Sequence, residues 1–500
     1  MDVPRRPDIA TSDGSPDPGV ATSDGVTAGA GPADDGREPS PAPPMRSAGN
    51  AENLPAGTLL PAHSPSMFEA LRFRDFRFLW VSNLAANFAM QMQMMARGWI
   101  VYDMTQSAMW LSWVMLSFML PQFLFSLVGG VVADRVEKKT VMVVAQSLNA
   151  AATLAMALII YTGNVAVWHF IAFGVFNGTV LSFSMPARSA VIPEIVGQGS
   201  LANAMALQSM VFNLSRIFGP IFAGQIIAFF AAEHLTGDAK WFGVSVIYFV
   251  ICGLYLTSVL STTAVHFRGA PSHGRKTAPL QDALEGLRYV RDEKLILGLL
   301  ILGFVPMMFG FTASSLMPAF NHDVVLGGPR ELSYLMTAMG AGALCASLLL
   351  ARLGDIGRKG RTMLITAVAW AVALGLFAVS SWLPAALFFC ALIGLCSSMF
   401  GNLSGTTVQL SIEQSVRGRV MSIMMMTHGL MPLGIIPIST LAEFTGIGPA
   451  LLIAAVLLLT SVLWLNWQFP DLRRIDKGHG DARFVGDAAR LAAGNRPAGS

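Results

Sequence analysis

Charge is scarce in this chain: charged residues make up 13% of 500, about half the ~25% usual in soluble domains. That excludes a soluble globular protein. Cysteine is scarce too. Cys252, Cys345, Cys390 and Cys396 all fall in apolar runs without metal-ligand spacing, so they read as small core residues rather than a zinc site or a disulfide framework. No G-x-x-x-x-G-K-[ST] phosphate loop is present, so the chain is not its own ATPase. No H-E-x-x-H motif occurs and no outer-face Ser/His/Asp set can be picked out. No enzyme activity, catalytic residue, metal or cofactor is therefore expected. The N-terminus lacks a basic start followed by an apolar run and a small-residue cleavage site, so it is not a secretory signal. Carboxylates are missing from the middle of every apolar run. Asp103, Asp134, Glu194, Asp355, Glu413 and Glu443 all fall at run ends or in loops. Many proton-coupled carriers use a midplane carboxylate; here coupling falls to Asp134, His428, an end-of-helix carboxylate or the cargo's own charge.

What the chain does have is apolar length. Hydrophobic residues reach 53% and mean hydropathy is +0.56, the signature of a polytopic membrane protein. Apolar runs predict spans at about 78–101, 109–133, 140–161, 165–185, 201–230 and 241–264, then 294–318, 332–352, 362–382, 384–410, 418–441 and 448–467. The expected fold is all-α integral membrane, with twelve transmembrane helices as two pseudo-symmetric six-helix bundles, 66–264 and 294–469. Residues 1–65, rich in Pro, Gly, Ser, Ala and Asp, read as a disordered tail. Residues 265–293 form a hydrophilic linker, with an amphipathic surface helix over Pro279–Arg291. Residues 470–500 form a polar tail. With both termini cytoplasmic, 22 Lys and Arg flank the inner side and only Lys240 and Arg330 flank the outer. That asymmetry sets the topology and places the protein, multi-pass, in the inner (plasma) membrane. The lipid bilayer is its surround; a monomer is expected, with no nucleic-acid partner.

Polar residues inside the spans mark the candidate cavity. Asn83, Asn87 and Gln91 are spaced by four and share one face of the first helix. They either hold helices together or line a cavity, since a polar stripe does not face lipid. Arg216 falls deep in the fifth span, where a buried arginine costs several kcal/mol and must face a cavity or a partner; Arg97 lies nearer a span end. His428 titrates near neutral pH or is a neutral packed histidine. Gln122, Asn177, Asn213, Asn402 and Gln409 are further cavity candidates. Arginines without carboxylates favour neutral or anionic cargo over cations. Among 28 methionines, Met90, Met92, Met94 and Met95 crowd one helix and Met424, Met425 and Met426 another, as packing or as an adaptable cavity wall.

Two hinges complete the pattern. Gly129–Lys139 (GGVVADRVEKK) separates the second and third spans, and Leu353–Arg361 (LGDIGRKGR) separates the eighth and ninth, 221 residues on from Asp134 to Asp355. The first hinge resembles the signature loop of the major facilitator superfamily, and the second its counterpart in the other half. Pro186–Gly224, Ala96–Ala108 (ARGWIVYDMTQSA), EGLRYVR at Glu285–Arg291 and RGRVMS at Arg417–Ser422 are similar to the enterobactin-exporter and macrolide-efflux-like branch. The resemblance covers about 70–470. It implies the major facilitator fold, a small-molecule substrate held between the halves, and drug or siderophore export by alternating access, with protons as a coupling ion. It also implies gating roles for Gly130, Asp134, Arg135, Lys138 and Lys139 in the first hinge and for Gly354, Asp355 and Arg358 in the second. Gly219 and Pro220, followed by Ala223 and Gly224, resemble the antiporter motif of the fifth helix, with Ala223 in place of a glycine. An importer or lysophospholipid flippase of the same fold is the alternative, and a non-transporting sensor or scaffold is the rival of another class.

Overall fold

The computed structural model describes residues 68–233, 241–267, 269, 288, 290–291, 294–354, 357–412, 420, 423–424 and 431–470. The expected tails, most of the linker with its amphipathic helix, and the candidate residues Asp355 and His428 lie outside the described residues. What is described is helical. The first half holds α1 (Arg74–Thr105), α2 (Ala108–Arg135), α3 (Lys138–Tyr161), α4 (Val167–Glu233) and α5 (Phe242–Thr263). The second holds α6 (Lys294–Gly310), two short pieces α7 (Thr312–Ser315) and α8 (Met317–Asp323), then α9 (Pro329–Leu353), α10 (Lys359–Ala378), α11 (Leu383–Ser411), α12 (Pro432–Thr445) and α13 (Ile447–Gln468). Among the described residues nine helices are long and apolar enough to cross a membrane.

Tight local chemistry sets the turns. Gln106 adopts a left-handed conformation (φ 49°) and ends α1. Ser107 then caps α2, its Oγ accepting from the Trp110 amide. The reversal takes two residues, so α1 and α2 run antiparallel. At the start of α9 the Asn321 amide donates to the carbonyls of Gly327 and Gly328 at 2.9 Å each. Glu331 accepts from the Gly328 N–H at 2.7 Å, and Pro329 opens the helix.

The 67 residues of α4 would measure ~100 Å at ~1.5 Å per residue, about three bilayer cores. Gly197, at φ 67° and ψ 175°, breaks it. The sequence places spans at 165–185 and 201–230, but the helix runs through 186–196, including Pro186 and Pro193, before that break. Pro220 lies within helical dihedrals, so the discontinuity belongs to the glycine rather than to the proline.

The same helix joint occurs in both halves. A Cβ on Gly129 of α2 would fall inside the carbonyl oxygen of Ser182 in α4, and one on Gly178 of α4 would meet the carbonyl of Phe118 in α2. In the second half, Gly342 of α9 meets the Ala391 carbonyl of α11, and Gly394 of α11 meets the Met339 carbonyl of α9. Reciprocal glycines let backbones touch where lipid provides no hydrophobic drive for association. The repeat of sequence hinges is thus matched by a repeat of packing.

Candidate functional site

One end of the helix array, the basic end, carries Arg135, Lys138, Lys139, Arg352, Arg358 and Lys359. The opposite end carries Asp103, Asp323, Glu331 and Glu443. Among the described residues the two ends differ in what they bind.

At the basic end the first hinge braces the first half internally. Lys138 is 3% exposed and its Nζ lies 2.8 Å from Glu194 Oε1, joining α3 to α4. Gly269, held at φ 67°, packs over the Lys138 stem and accepts the Lys138 N–H. Lys139 Nζ donates to the carbonyl of Thr263 at 2.9 Å and of Val265 at 2.6 Å. It thereby satisfies orphan carbonyls at the C-terminus of α5, where a cation is favoured. Asp75 Oδ2 accepts from the Phe267 N–H at 2.8 Å and Asp75 Oδ1 from the His266 N–H, tying the segment after α5 back to α1. Arg135 and Arg358 are exposed. Gly130 and Asp134 lie in the last turns of α2, and Gly354 ends α9 with φ 59°.

At the other end the two halves are fastened to each other. The Tyr102 hydroxyl of α1 donates to Asp323 Oδ2 of α8, and the Tyr102 ring meets His322 edge-on at 5.5 Å. Glu443 Oε1 of α12 accepts from Ser107 Oγ at 2.5 Å and from the Met109 N–H at 2.9 Å, both at the start of α2. Gly98 leaves room for Pro318. Further in, Gly224 of α4 sits against Ser333 of α9 and Gly340 of α9 against the Arg216 backbone, while Thr337 Oγ1 donates to the Ile217 carbonyl at 3.0 Å. Every hydrogen bond between described residues of the two halves lies near this end or at mid-height.

The polar residues predicted for a cavity fall between these ends, and only some come together. Asn87 Nδ2 donates to the Asn83 carbonyl at 2.7 Å. Gln91, one turn on, packs at Gly219, where a Cβ would approach the Gln91 Cβ to 2.8 Å; Pro220 beside it is buried. Asn83 is 1% exposed and neither amide atom has a partner. Asn177 Nδ2 is likewise buried and unpartnered. Gln122 approaches Met185 between α2 and α4. Asn213 donates to the Ser209 carbonyl. Arg216 is half-buried and makes no hydrogen bond or ion pair with a described residue. On α11, Asn402, Thr406 and Gln409 are all exposed and follow one face in the half nearer the basic end. An exposed polar stripe at that depth requires water, not lipid.

Local pattern misses several residues. Asp323 and Glu443 find partners 221 and 336 residues away. Arg188, which its position in sequence assigns to a flank, lies inside helical α4 with its Nε buried and unpartnered. Tyr248 and Tyr255 look like ordinary aromatics of α5, yet they are 0% and 3% exposed.

The chain is similar to known proteins in sequence and in fold. A family profile described as transmembrane secretion effector matches residues 65–485. The multidrug efflux pump Tap of Mycolicibacterium fortuitum is 26% identical over 390 residues, 76% of this chain and 91% of that protein. The staphyloferrin A transporter of Staphylococcus aureus is 24% identical over 353 residues, 70% of this chain and 85% of that protein. A crystal structure of a variant of the nucleoside transporter NupG covers 79% of this chain and 100% of its own at a TM-score of 0.62 and 15% identity, a likeness of fold alone. The resemblance to the enterobactin-exporter and macrolide-efflux branch is borne out.

Proposed function

From the premise that this chain belongs to the transmembrane secretion effector family of the major facilitator superfamily, transporters and not enzymes, we propose that it exports a small amphipathic molecule, drug- or siderophore-like, by alternating access. It crosses the inner membrane twelve times with both termini cytoplasmic. The nine apolar helices become twelve crossings when α4 is divided at Gly197, when α1 is counted despite its polar stripe, and when α12 is taken as the visible part of a crossing over 418–441. The bundles are 66–264 and 294–469, joined by the 265–293 linker. The excess of Lys and Arg at one end supports placing that end in the cytoplasm.

The observation that carries the reading is the contrast between the two ends. The outer ends are fastened by Tyr102, Ser107, Asp323 and Glu443, while Asn402, Thr406 and Gln409 are exposed toward the cytoplasm. This is one of the two states an alternating-access carrier needs. The cargo meets Asn87, Gln91, Asn213, Arg216, Asn402 and Gln409 from the cytoplasmic side. Lys138 and Lys139 keep the first bundle rigid as it tilts. Export is favoured over import by relatives named as an efflux pump and a siderophore transporter. Without a midplane carboxylate among the described residues, coupling rests on an end-of-helix acid or on the cargo.

The test compares a deletion strain with its complemented parent, profiling small molecules in pellet and medium by mass spectrometry. A compound retained in deleted cells and missing from their medium identifies export and cargo together. Depletion inside the cells with the compound left in the medium reverses the direction and overturns the reading.

A further inference from the structure

The first half carries charge that its own fold does not neutralise. Arg97 of α1 and Arg188 of α4 form no ion pair or hydrogen bond with a described residue; Arg97 lies over the Phe118 ring at 5.5 Å, and Arg188 Nε is shut from solvent without an acceptor. Among the described residues, the ionisable groups that act on Arg97 are Tyr248 and Tyr255, and the one that acts on Arg188 is Tyr255. No carboxylate is among them. The Tyr248 hydroxyl is fully buried and also lacks a partner. Below the outer helix ends, at ~1.5 Å per residue, Arg97 lies ~12 Å, Tyr255 ~20 Å and Arg188 ~32 Å along the helices. The cations thus sit on either side of Tyr255. The second half differs: away from helix ends its described crossings hold no Lys, Arg, Asp or Glu.

A fold does not keep such groups for stability: Arg97 lies ~12 Å in, where an unpaired charge costs several kcal/mol, and Arg188, at the inner edge of a ~30 Å core, keeps its Nε shut from water with no acceptor, at a cost of ~1–3 kcal/mol. What offsets that cost is an incoming oxyanion, which a planar guanidinium binds through two parallel N–H donors. A free tyrosine hydroxyl adds a neutral donor. Resting on the exporter reading, we infer that Arg97 and Arg188 are two stations for the acidic groups of the cargo, so that the substrate class is an amphipathic carboxylic acid or similar oxyanion, best with two acidic groups on an apolar frame. The acid binds in the first bundle, and the charge-free second bundle meets its apolar body.

The test uses the full-length chain in phosphatidylcholine nanodiscs and three probes on one frame: 2,6-naphthalenedicarboxylate, 2-naphthoate and the dimethyl ester of the diacid. Binding is measured by scintillation proximity with tritiated probes. The expected order is dianion, then monoanion, then ester, with at least tenfold between dianion and ester. Arg97→Gln and Arg188→Gln each lower the dianion to the monoanion's affinity, the double variant lowers it to the ester's, and ester binding is unchanged in all. Arg97→Lys, which keeps the charge without the fork, recovers part of the loss. Ester binding as tight as the dianion's, no binding of any probe, or a double variant that leaves the dianion untouched would each overturn the assignment. Displacement of the dianion by phosphatidylglycerol alone would assign the stations to lipid headgroups and overturn the cargo reading. The two readings fail separately. Export of a neutral compound with the dianion unbound removes the anion stations and leaves the exporter; dianion binding in a chain that moves nothing does the reverse.

Discussion

Removing the Glu443 carboxylate should shift the protein toward its other state. Glu443 Oε1 holds the start of α2 through Ser107 Oγ at 2.5 Å and the Met109 N–H at 2.9 Å. A hydrogen bond to a charged group contributes ~1.5–3 kcal/mol in a buried setting. This site is exposed, so screening and competing water reduce each bond to ~0.5–1 kcal/mol. Together they hold the outer ends closed by ~1–2 kcal/mol, and since ~1.4 kcal/mol is tenfold, Glu443→Ala should raise the outward-open population about 5- to 30-fold. The freed donors are exposed and regain water, so no unsatisfied group is left to complicate the change. The assay is maleimide labelling, from outside intact cells, of Ser333→Cys, a fully buried α9 position packed against Gly224 of α4 nearer the latch, with the four native cysteines replaced. The labelling rate should rise by the same factor. Ser258→Ala, which removes a bond to Ser82 within the first half, should leave it unchanged. A rate within twofold of the parent in Glu443→Ala would refute the latch.

Three further outcomes follow from the packing and the charges. Gly129→Val should force α2 off the Ser182 carbonyl and lower the apparent Tm and yield, with ~1–3 kcal/mol or more lost to overpacking, whereas Gly253→Ala, with open space around it, should be neutral in the same melting assay. Lys138→Met should cost ~1–3 kcal/mol, because Glu194 loses its partner but is 38% exposed and regains water; Lys138→Glu with Glu194→Lys should recover part of the loss in a thermal melt. Arg188→Gln should raise the apparent Tm, since it removes a buried, unpartnered Nε that costs ~1–3 kcal/mol of stability, while export falls; a lower Tm with export intact would show that Arg188 is structural.

The fold is legible in the sequence because a membrane leaves few choices. Apolar length gives the membrane-crossing helices, and the two Asp-plus-basic hinges announce the duplication seen in the paired glycine joints. The exact break in the fourth and fifth spans is not legible. Pro186, Pro193 and Pro220 all advertise bends, yet the helix breaks at Gly197, the one position in α4 with φ above zero. That shift also moves Arg188 from a flank into a helix interior. Pairings across long separations are equally hidden. Lys138 and Lys139 read as anchors for a surface, but their ammonium groups reach Glu194 and the last carbonyls of α5. Glu443 reads as one more acid at a helix end until α2 is brought beside it. Local composition identifies which residues are polar in the wrong place. Only the tertiary arrangement shows which of them have been answered and which, like Arg97, Arg188 and Arg216, have no hydrogen bond or ion pair among the described residues.

The contact of Arg216 and Ile217 with Gly340 and Thr337 has a mechanical meaning. It lies near mid-height, with the latch at one end and the hinge braces at the other, so it is a fulcrum. A tilt of about 10° about a pivot ~15 Å from the Pro329 end of α9 moves that end by ~3 Å, more than a hydrogen bond can stretch, while the contact itself barely shifts. On the alternating-access reading proposed above, the same small rotation that parts Glu443 from Ser107 draws the basic ends together. Opening and closing are two readings of one lever, and a glycine at the pivot lets the arms bear on each other without a side chain between them.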